Sequence, residues 1–514
     1  MRQVRQEISE TEKNQLILFG FAMACFWPLL NFLNINYTQI SSGAYGSLAA
    51  LYIVALASIV FGLLASLLLH RVTAVPVARY LAVCSVAIVL FFLTGGVRSL
   101  LSDHLRSAGV NRGGTLLTLA LFCAAVGVAW MLASRQAVRH IIAVLAIAGA
   151  AIPAAGFGLK AIGSATPHVQ PSDSDSAESG RALHFSGENV YYIIVDAYAG
   201  RYGLDDLGYD NTAFLQRMRD FGFAVNERAR SNYVATFLTL QAILDARYPV
   251  TDASPRFADR ADFFPARINS GHEPAALLRF RQAGYKRIRI SNPWGGCADR
   301  VFDTCFGTSS GGNAYLISQY FAATIFSPRL PADEPDNAIE FIPHIKAFRD
   351  SRQPFFLFVH HYGPHPPYDR HEDCSRRRSN NDDAWQQDLK SAYVGALKCV
   401  NRRLVEVVGD IVADDPNAII VIQSDHGAGF HVDWTSSIED WTEAAIRERT
   451  SILNLVRLPA RCVSWNQDDL GQINTMRLVL GCLANETPDL LPEASYISTM
   501  EIGSDFGLVR KVFE

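Results

Sequence analysis

The chain has 514 residues, with 46 Lys and Arg against 50 Asp and Glu, and a formal net charge of −4. That length admits two or three domains, and a near-neutral balance with no basic stripe among the aromatics argues against a nucleic-acid partner. Residues 1–163 are dominated by long apolar runs, whereas the remainder has the Asp, Arg and aromatic content of a soluble domain.

Five runs, near 15–33, 44–69, 77–96, 114–134 and 138–160, are long enough to cross a membrane. A hydrocarbon layer about 30 Å thick takes roughly 20 apolar residues as helix. Buried core helices would carry polar stripes, which these runs lack. The first run does not read as a cleaved signal peptide, because further spans follow and no small-residue cleavage site succeeds it. The short loops with Arg71 and Arg79, then Arg135 and Arg139, are basic without acids. The loop at 34–43 is uncharged, and the one at 97–113 is mixed. Basic loops favour the cytoplasmic side, so the N-terminus is expected inside and everything after about residue 163 outside.

Cys25, Cys84 and Cys123 fall within apolar runs and are expected to be small packing residues. Cys297, Cys305, Cys374, Cys399, Cys462 and Cys482 all fall in the polar part. An even set in an oxidising compartment implies three disulfides. Sequential pairs are expected, since each closes a short loop. A zinc cluster is the competing reading, but there is no Cys-x-x-Cys pair.

Residues 164–188 are rich in Ser, Asp, Pro and Gly, as a linker is. From Asn189 short apolar runs alternate with amphipathic stretches. Val190–Val195, Phe355–Val359 and Ile419–Ile422 read as buried strands, and Gly222–Val225 as a return strand. Helices are expected over Phe214–Phe221, Leu238–Ala246 and Trp385–Val412. Continuous apolar strands separated by helices predict a mostly parallel sheet covered on both faces. Past Leu458 the pattern leaves open a separate subdomain or a flank of the main sheet.

In open α/β sheets, ligands sit beyond the carboxyl ends of the strands. Three strands here finish in groups that bind metals: Asp196, the His360/His361/His365 loop, and Asp425-His426. Carboxylate oxygens with an imidazole suit zinc or manganese. An Asp after a strand is commonly just a turn residue. The pair Asp425-His426 followed by Gly427, which permits a tight turn, makes a better metal corner.

These residues belong to a longer pattern. After Asp196 come Asp206-Leu207-Gly208-Tyr209-Asp210-Asn211-Thr212 and Phe221-Gly222-Phe223, then Thr236 and Ala246-Arg247-Tyr248-Pro249. Pro364-His365-Pro366-Pro367-Tyr368 and Ser424-Asp425-His426-Gly427 follow. In this order they resemble the alkaline-phosphatase/sulfatase superfamily over nearly all of 189–460. The resemblance implies an α/β extracytoplasmic domain, 189–514, behind an all-α transmembrane bundle, 1–163, and the linker. It aligns Thr236 with the nucleophile, at a helix start ten residues before the Arg-Tyr-Pro ending.

Two departures refine the reading. Thr236-Phe237-Leu238-Thr239-Leu240 lacks the Pro and Arg of the sulfatase motif, and a Thr cannot yield formylglycine. The family's paired Asp is reduced to Asp196-Ala197, which implies one metal, with a second left open. A Thr nucleophile, one metal and five helices resemble the phosphoethanolamine transferases and lipoteichoic-acid-synthase-like proteins of bacterial inner membranes, whose catalytic domain is periplasmic. The resemblance implies a divalent ion, Zn or Mn ahead of Ca or Mg, held by Asp196, Thr236, Asp425 and His426. It implies Thr236 attack on a phosphodiester, with His365 protonating the leaving group and His360 and His361 contacting phosphate oxygens. The donor would be a membrane lipid, and the acceptor a glycan, a lipid or water. A hydrolase of the same fold and a non-catalytic scaffold are the alternatives. Arg201 is a candidate for a substrate anion. Arg447 and Arg449 suit phosphate or ordinary salt bridges, and His431 suits an accessory metal contact or the surface. The Arg376-Arg377-Arg378 run reads as a solvated loop face that could touch anionic head groups.

Overall fold

The computed structural model describes residues 10–36, 45–107, 113–163, 185–257, 262–269, 271–292, 301–307, 320–321, 324, 338–349, 351, 353–366, 368, 370–377, 389–433, 436–498 and 507–513. Residues 164–184 of the expected linker, Cys297 and Arg378 lie outside them. The chain divides into two units, 1–169 with 310–334, and 170–309 with 335–514. The assignment of 310–334 to the first unit has no counterpart among the sequence expectations.

The first unit contains five long apolar helices: α1 (Glu10–Asn36), α2 (Tyr45–Thr73), α3 (Val77–Ser107), α4 (Gly114–Leu132) and α5 (Gln136–Gly163). Each holds a stretch long and apolar enough to span a membrane, which matches the five expected runs. α1 packs against α5 and α3. A Cβ on Gly20 would lie 2.6 Å from Ala143 Cα, so a glycine is what lets α1 and α5 approach so closely. Hydroxyls inside the spans are satisfied locally, as hydrocarbon surroundings require: Ser85 donates to Leu81 O at 2.9 Å and Thr118 to Gly114 O at 2.7 Å. Phe61, Leu116 and Ile152 are left exposed, the pattern of a surface facing lipid. From the returning segment, Tyr320 packs edge-on against Phe32 and Phe92.

The second unit is built on a seven-stranded sheet in the order β2-β7-β6-β1-β5-β3-β4. The strands are β1 (Val190–Val195), β2 (Ala224–Val225), β3 (Lys286–Ser291), β4 (Thr304–Gly307), β5 (Phe355–His361), β6 (Ile419–Ser424) and β7 (Asn454–Arg457). β6, β1, β5, β3 and β4 run parallel, and β7 and β2 form an antiparallel edge. Alternation along β1 sends Tyr191, Ile193 and Val195 into one core and Val190, Tyr192 and Ile194 into the other. The first core is covered by the long helix Leu389–Asp414 through Tyr393, Leu397, Val400, Leu404 and Val408. The second is covered by α8 (Thr236–Asp245), the helix Ala275–Gln282 and the helix Gln472–Ala484. The chain past Leu458 is thus a flank of the main sheet, followed by a small hairpin, β8 (Ser495–Ser498) with β9 (Val509–Phe513).

Disulfides join Cys374 to Cys399 and Cys462 to Cys482, two of the three sequential pairs expected. Cys305 is also disulfide-bonded. Cys25, Cys84 and Cys123 are free thiols within the spans. The Cys462–Cys482 bond ties residues 20 apart across the start of the C-terminal flank. By loop-closure entropy it contributes about 3 kcal/mol. Replacing both cysteines by serine is expected to lower the denaturation midpoint of the second unit accordingly, as followed by tryptophan fluorescence.

Candidate functional site

The three central strands β6, β1 and β5 end side by side, and each ends in the groups expected to bind a metal. Asp196 follows β1, His360 and His361 close β5, and Asp425-His426 follow β6. All five side chains are at least 96% buried. Ligand atoms of Asp196, His360 and Asp425 lie within 4.8 Å of one another, a group able to hold a metal ion. His426 Nε2 stands 3.6 Å from Asp196 Oδ1 and 3.2 Å from Asp425 Oδ2. Thr236, first residue of α8, brings its Oγ1 to 3.1 Å from the same nitrogen.

Backbone geometry aims these groups. Ala197 adopts φ 58°, a left-handed conformation uncommon for a non-glycine residue. Its N–H donates to Asp425 Oδ1 at 3.1 Å, and His426 N–H donates to the same oxygen at 2.9 Å. Asp425 Oδ1 is therefore occupied, while Oδ2 is buried without a hydrogen-bond partner, as is Asp196 Oδ1. Two buried carboxylate oxygens, unpaired and converging on one imidazole nitrogen, fit a divalent cation. The charge balance agrees. Burial and the Asp196 carboxylate push the Asp425 carboxyl upward. Burial alone would raise Asp196 too, but His365, the His360 hydrogen bond and His426 hold it well below the usual range. Burial and the Arg449 charge keep His426 neutral, and its Nδ1–H donates to Gly427 O at 3.0 Å, leaving Nε2 as the acceptor atom that meets the Thr236 hydroxyl at 3.1 Å.

Gly427 is needed for space rather than for a special dihedral. A Cβ there would lie 2.1 Å from Glu448 O. The turn after His426 is pressed against the end of the helix Glu443–Thr450, a close approach that leaves no room for a side chain.

The other expected residues divide. His365 turns its Nδ1 to Pro366 O at 2.7 Å and its ring to Tyr362, and its charge acts on both Asp196 and His426. His361 lies on the opposite face of β5 from His360, because successive strand residues alternate. Burial, then His360 and Arg370, push it down to about 3, so it is neutral. Arg201 pairs with Glu227 at 3.0 Å and lines a separate cleft of about 520 Å³ beside α6 (Arg201–Asp206) and α7 (Thr212–Asp220). The metal-capable group does not line that cleft. Arg447 makes the expected salt bridge, to Glu443. His431 pairs with Glu448 at 3.2 Å and lies outside the metal-capable group.

Arg449 differs most from expectation. It is 95% buried and spends its donors on main chain, Nε and Nη2 on Val234 O at 3.2 and 3.0 Å and Nη1 on Gly427 O at 2.9 Å. Val234 precedes Thr236 by two residues, and Gly427 follows His426. Arg449 thus ties the segment leading into α8 to the Asp-His corner, a role no local motif announces. Arg449→Met is expected to cost about 2–4 kcal/mol, since two buried carbonyls lose their partners, measurable as a lowered midpoint in chemical denaturation. Arg449→Lys is expected to recover only part of this, because one ammonium cannot reproduce the fork.

One neighbour was not singled out in the sequence at all. Asn292, just past β3, is buried and sets its Nδ2 2.9 Å from His360 Nδ1. Its only sequence signal is a polar residue closing a strand beside the functional ones.

A family model described as Sulfatase matches residues 188–448, just over half of the chain. No curated protein matches. Among solved structures, the C-terminal periplasmic domain of EcEptC from Escherichia coli is 15% identical, with 65% of this chain and 94% of that one covered at a TM-score of 0.40. The lipooligosaccharide phosphoethanolamine transferase EptA from Neisseria meningitidis is 14% identical, with 91% and 95% covered at 0.41. The lipoteichoic acid synthase LtaP from Listeria monocytogenes is 13% identical, with 62% and 78% covered at 0.41. Because the family model matches just over half of its length, across all the strands from β1 to β6 and the Asp-His corner, the chain belongs to the sulfatase family.

Proposed function

We propose that this protein is a membrane-bound transferase that moves a phospho-alcohol group, of the phosphoethanolamine or phosphoglycerol type, from a membrane lipid to an envelope glycan or lipid. The observation that carries the reading is Thr236 Oγ1 at the start of α8, 3.1 Å from His426 Nε2 and beside two buried carboxylates. A threonine in that place supplies a hydroxyl nucleophile where formylglycine chemistry has no precursor. The five spans keep the site attached to a bilayer, where a lipid donor is concentrated. The disulfides support an oxidising, extracytoplasmic location for the second unit.

Asp196, Asp425, His426 and Thr236 would hold one divalent ion, for which an oxygen-rich set with one imidazole suits zinc or manganese. When bound, such an ion lowers the pKa of the Thr236 hydroxyl and offsets charge on the transferred phosphoryl group. Thr236 Oγ, its proton lost to solvent before the cycle starts, attacks the phosphorus of the donor, forming a P–O bond as the bond to the lipid glycerol oxygen breaks. The N-terminus of α8 turns the positive end of its dipole to the phosphoryl oxygens. His365 gives its proton to the departing diacylglycerol oxygen and takes one back from the acceptor hydroxyl. That hydroxyl then displaces the Thr236 oxygen and carries the phospho-alcohol away.

The test is donor turnover by the full chain in detergent with zinc, using a labelled phospholipid. Diacylglycerol release that rises with added acceptor, and label that moves to that acceptor, are expected. Release into water alone at an acceptor-independent rate would make the protein a phosphodiesterase of the same fold, and no release would overturn the proposal.

A further inference from the structure

The candidate centre contains two imidazoles whose Nε2 atoms both face carboxylates, and distance alone makes either one a metal ligand. Their outer nitrogens tell them apart. His426 Nδ1 lies 3.0 Å from Gly427 O, and a carbonyl only accepts, so Nδ1 carries the proton and Nε2 is a bare donor atom. His360 Nδ1 instead faces Asn292 Nδ2 at 2.9 Å. That amide nitrogen also lies 3.3 Å from His360 O. The end of an amide that faces a carbonyl is its NH2 end, because an oxygen there would be repelled. The same NH2 therefore donates to Nδ1, which must accept. The proton of a neutral His360 is then on Nε2, 3.2 Å from Asp196 Oδ2.

We propose that Asn292 fixes His360 as the Nε2–H tautomer, so that His360 holds the Asp196 carboxylate by a hydrogen bond and does not itself coordinate the metal. This rests on the metal-centre reading above. The accounting of atoms supports it. His360 occupies Asp196 Oδ2, and the oxygen left without a hydrogen-bond partner is Oδ1, the one turned toward His426 Nε2. Likewise the amides of Ala197 and His426 occupy Asp425 Oδ1 and leave Oδ2. Each carboxylate has one oxygen tied back and one presented. His360 does for Asp196 what two backbone amides do for Asp425, and Asn292 is a positioning residue one step further out. Asn292 directly follows β3 and His360 lies in its parallel neighbour β5, so the sheet sets their spacing.

The test is X-ray absorption on the zinc-loaded full chain, counting imidazole ligands and titrating zinc. Wild type is expected to show one imidazole. His360→Ala should keep that count at one while weakening zinc binding about 10- to 100-fold, as loss of an outer contact does. In Asn292→Asp a carboxylate can only accept, so Nδ1 takes the proton, Nε2 is freed, and the count should rise to two. Two imidazoles in wild type, falling to one in His360→Ala, would overturn the inference while leaving the metal centre standing. A wild type that takes up no zinc would overturn both.

Discussion

Thr236→Ala is expected to reduce donor turnover by roughly 10³–10⁶-fold, the scale on which loss of a covalent nucleophile is felt. The side chain is half-buried at the first turn of α8, and alanine removes its one hydroxyl contact, the 3.1 Å approach to His426 Nε2. A purely structural role, as a helix cap, makes a different forecast. A cap contributes about 1 kcal/mol to stability and nothing to chemistry. In α8 the cap position is Ala235, with no side-chain hydrogen bond, so Thr236 does not fill that role. The variant should therefore melt close to wild type while losing activity. Thr236→Ser keeps the hydroxyl and should retain a large part of the turnover, with the loss traced to a less restricted χ1. Parallel assays of diacylglycerol release and thermal unfolding separate the two roles.

Asp425→Asn should move stability and metal binding in opposite directions. Without a metal, Asp196 and Asp425 place like charges in a buried space, which destabilises the fold. The amide can still accept from Ala197 and His426 through its oxygen, and its NH2 would face the His426 Nε2 lone pair where Asp425 Oδ2 stands at 3.2 Å. The metal-free variant is therefore expected to melt above metal-free wild type. Zinc at about 1,000 times its Kd should stabilise wild type by about 4 kcal/mol and the variant hardly at all. Zinc affinity should fall by more than the roughly 10–100-fold of an outer contact. A melting curve of each protein with and without chelator reads all four states. A variant that still gains stability with zinc would remove Asp425 from the ligand set.

The sequence carried the architecture because its signals are long. Apolar runs of 20 or more residues have few alternative readings, and VYYIIV, FFLFV and IIVI are buried on both faces as parallel strands should be. The ends of those three strands gave the acidic and imidazole groups, and the sheet order then made them neighbours, which no linear spacing could state. What was not legible depends on direction rather than identity. His360 and His361 are adjacent letters, but the strand turns one toward Asp196 and the other away. Arg449 suited phosphate or an ordinary salt bridge by its place in the chain, whereas its fork holds two carbonyls brought together only by the fold. Arg201 follows the metal-bearing strand by few residues, but α6 carries it into another cleft, where Glu227 neutralises it. Asn292 belongs to no motif and acquires meaning only through the register of β3 against β5.

The central claim is a covalent intermediate on Thr236 formed from a lipid. Peptide mass spectrometry of the zinc-loaded full chain, quenched in acid after brief incubation with a phospholipid and no acceptor, tests it most directly. The account predicts a phospho-alcohol mass increment on the peptide bearing Thr236, in step with the diacylglycerol released, and its absence in Thr236→Ala. Diacylglycerol released at an undiminished rate by Thr236→Ala, with no increment on the wild-type peptide, would contradict it.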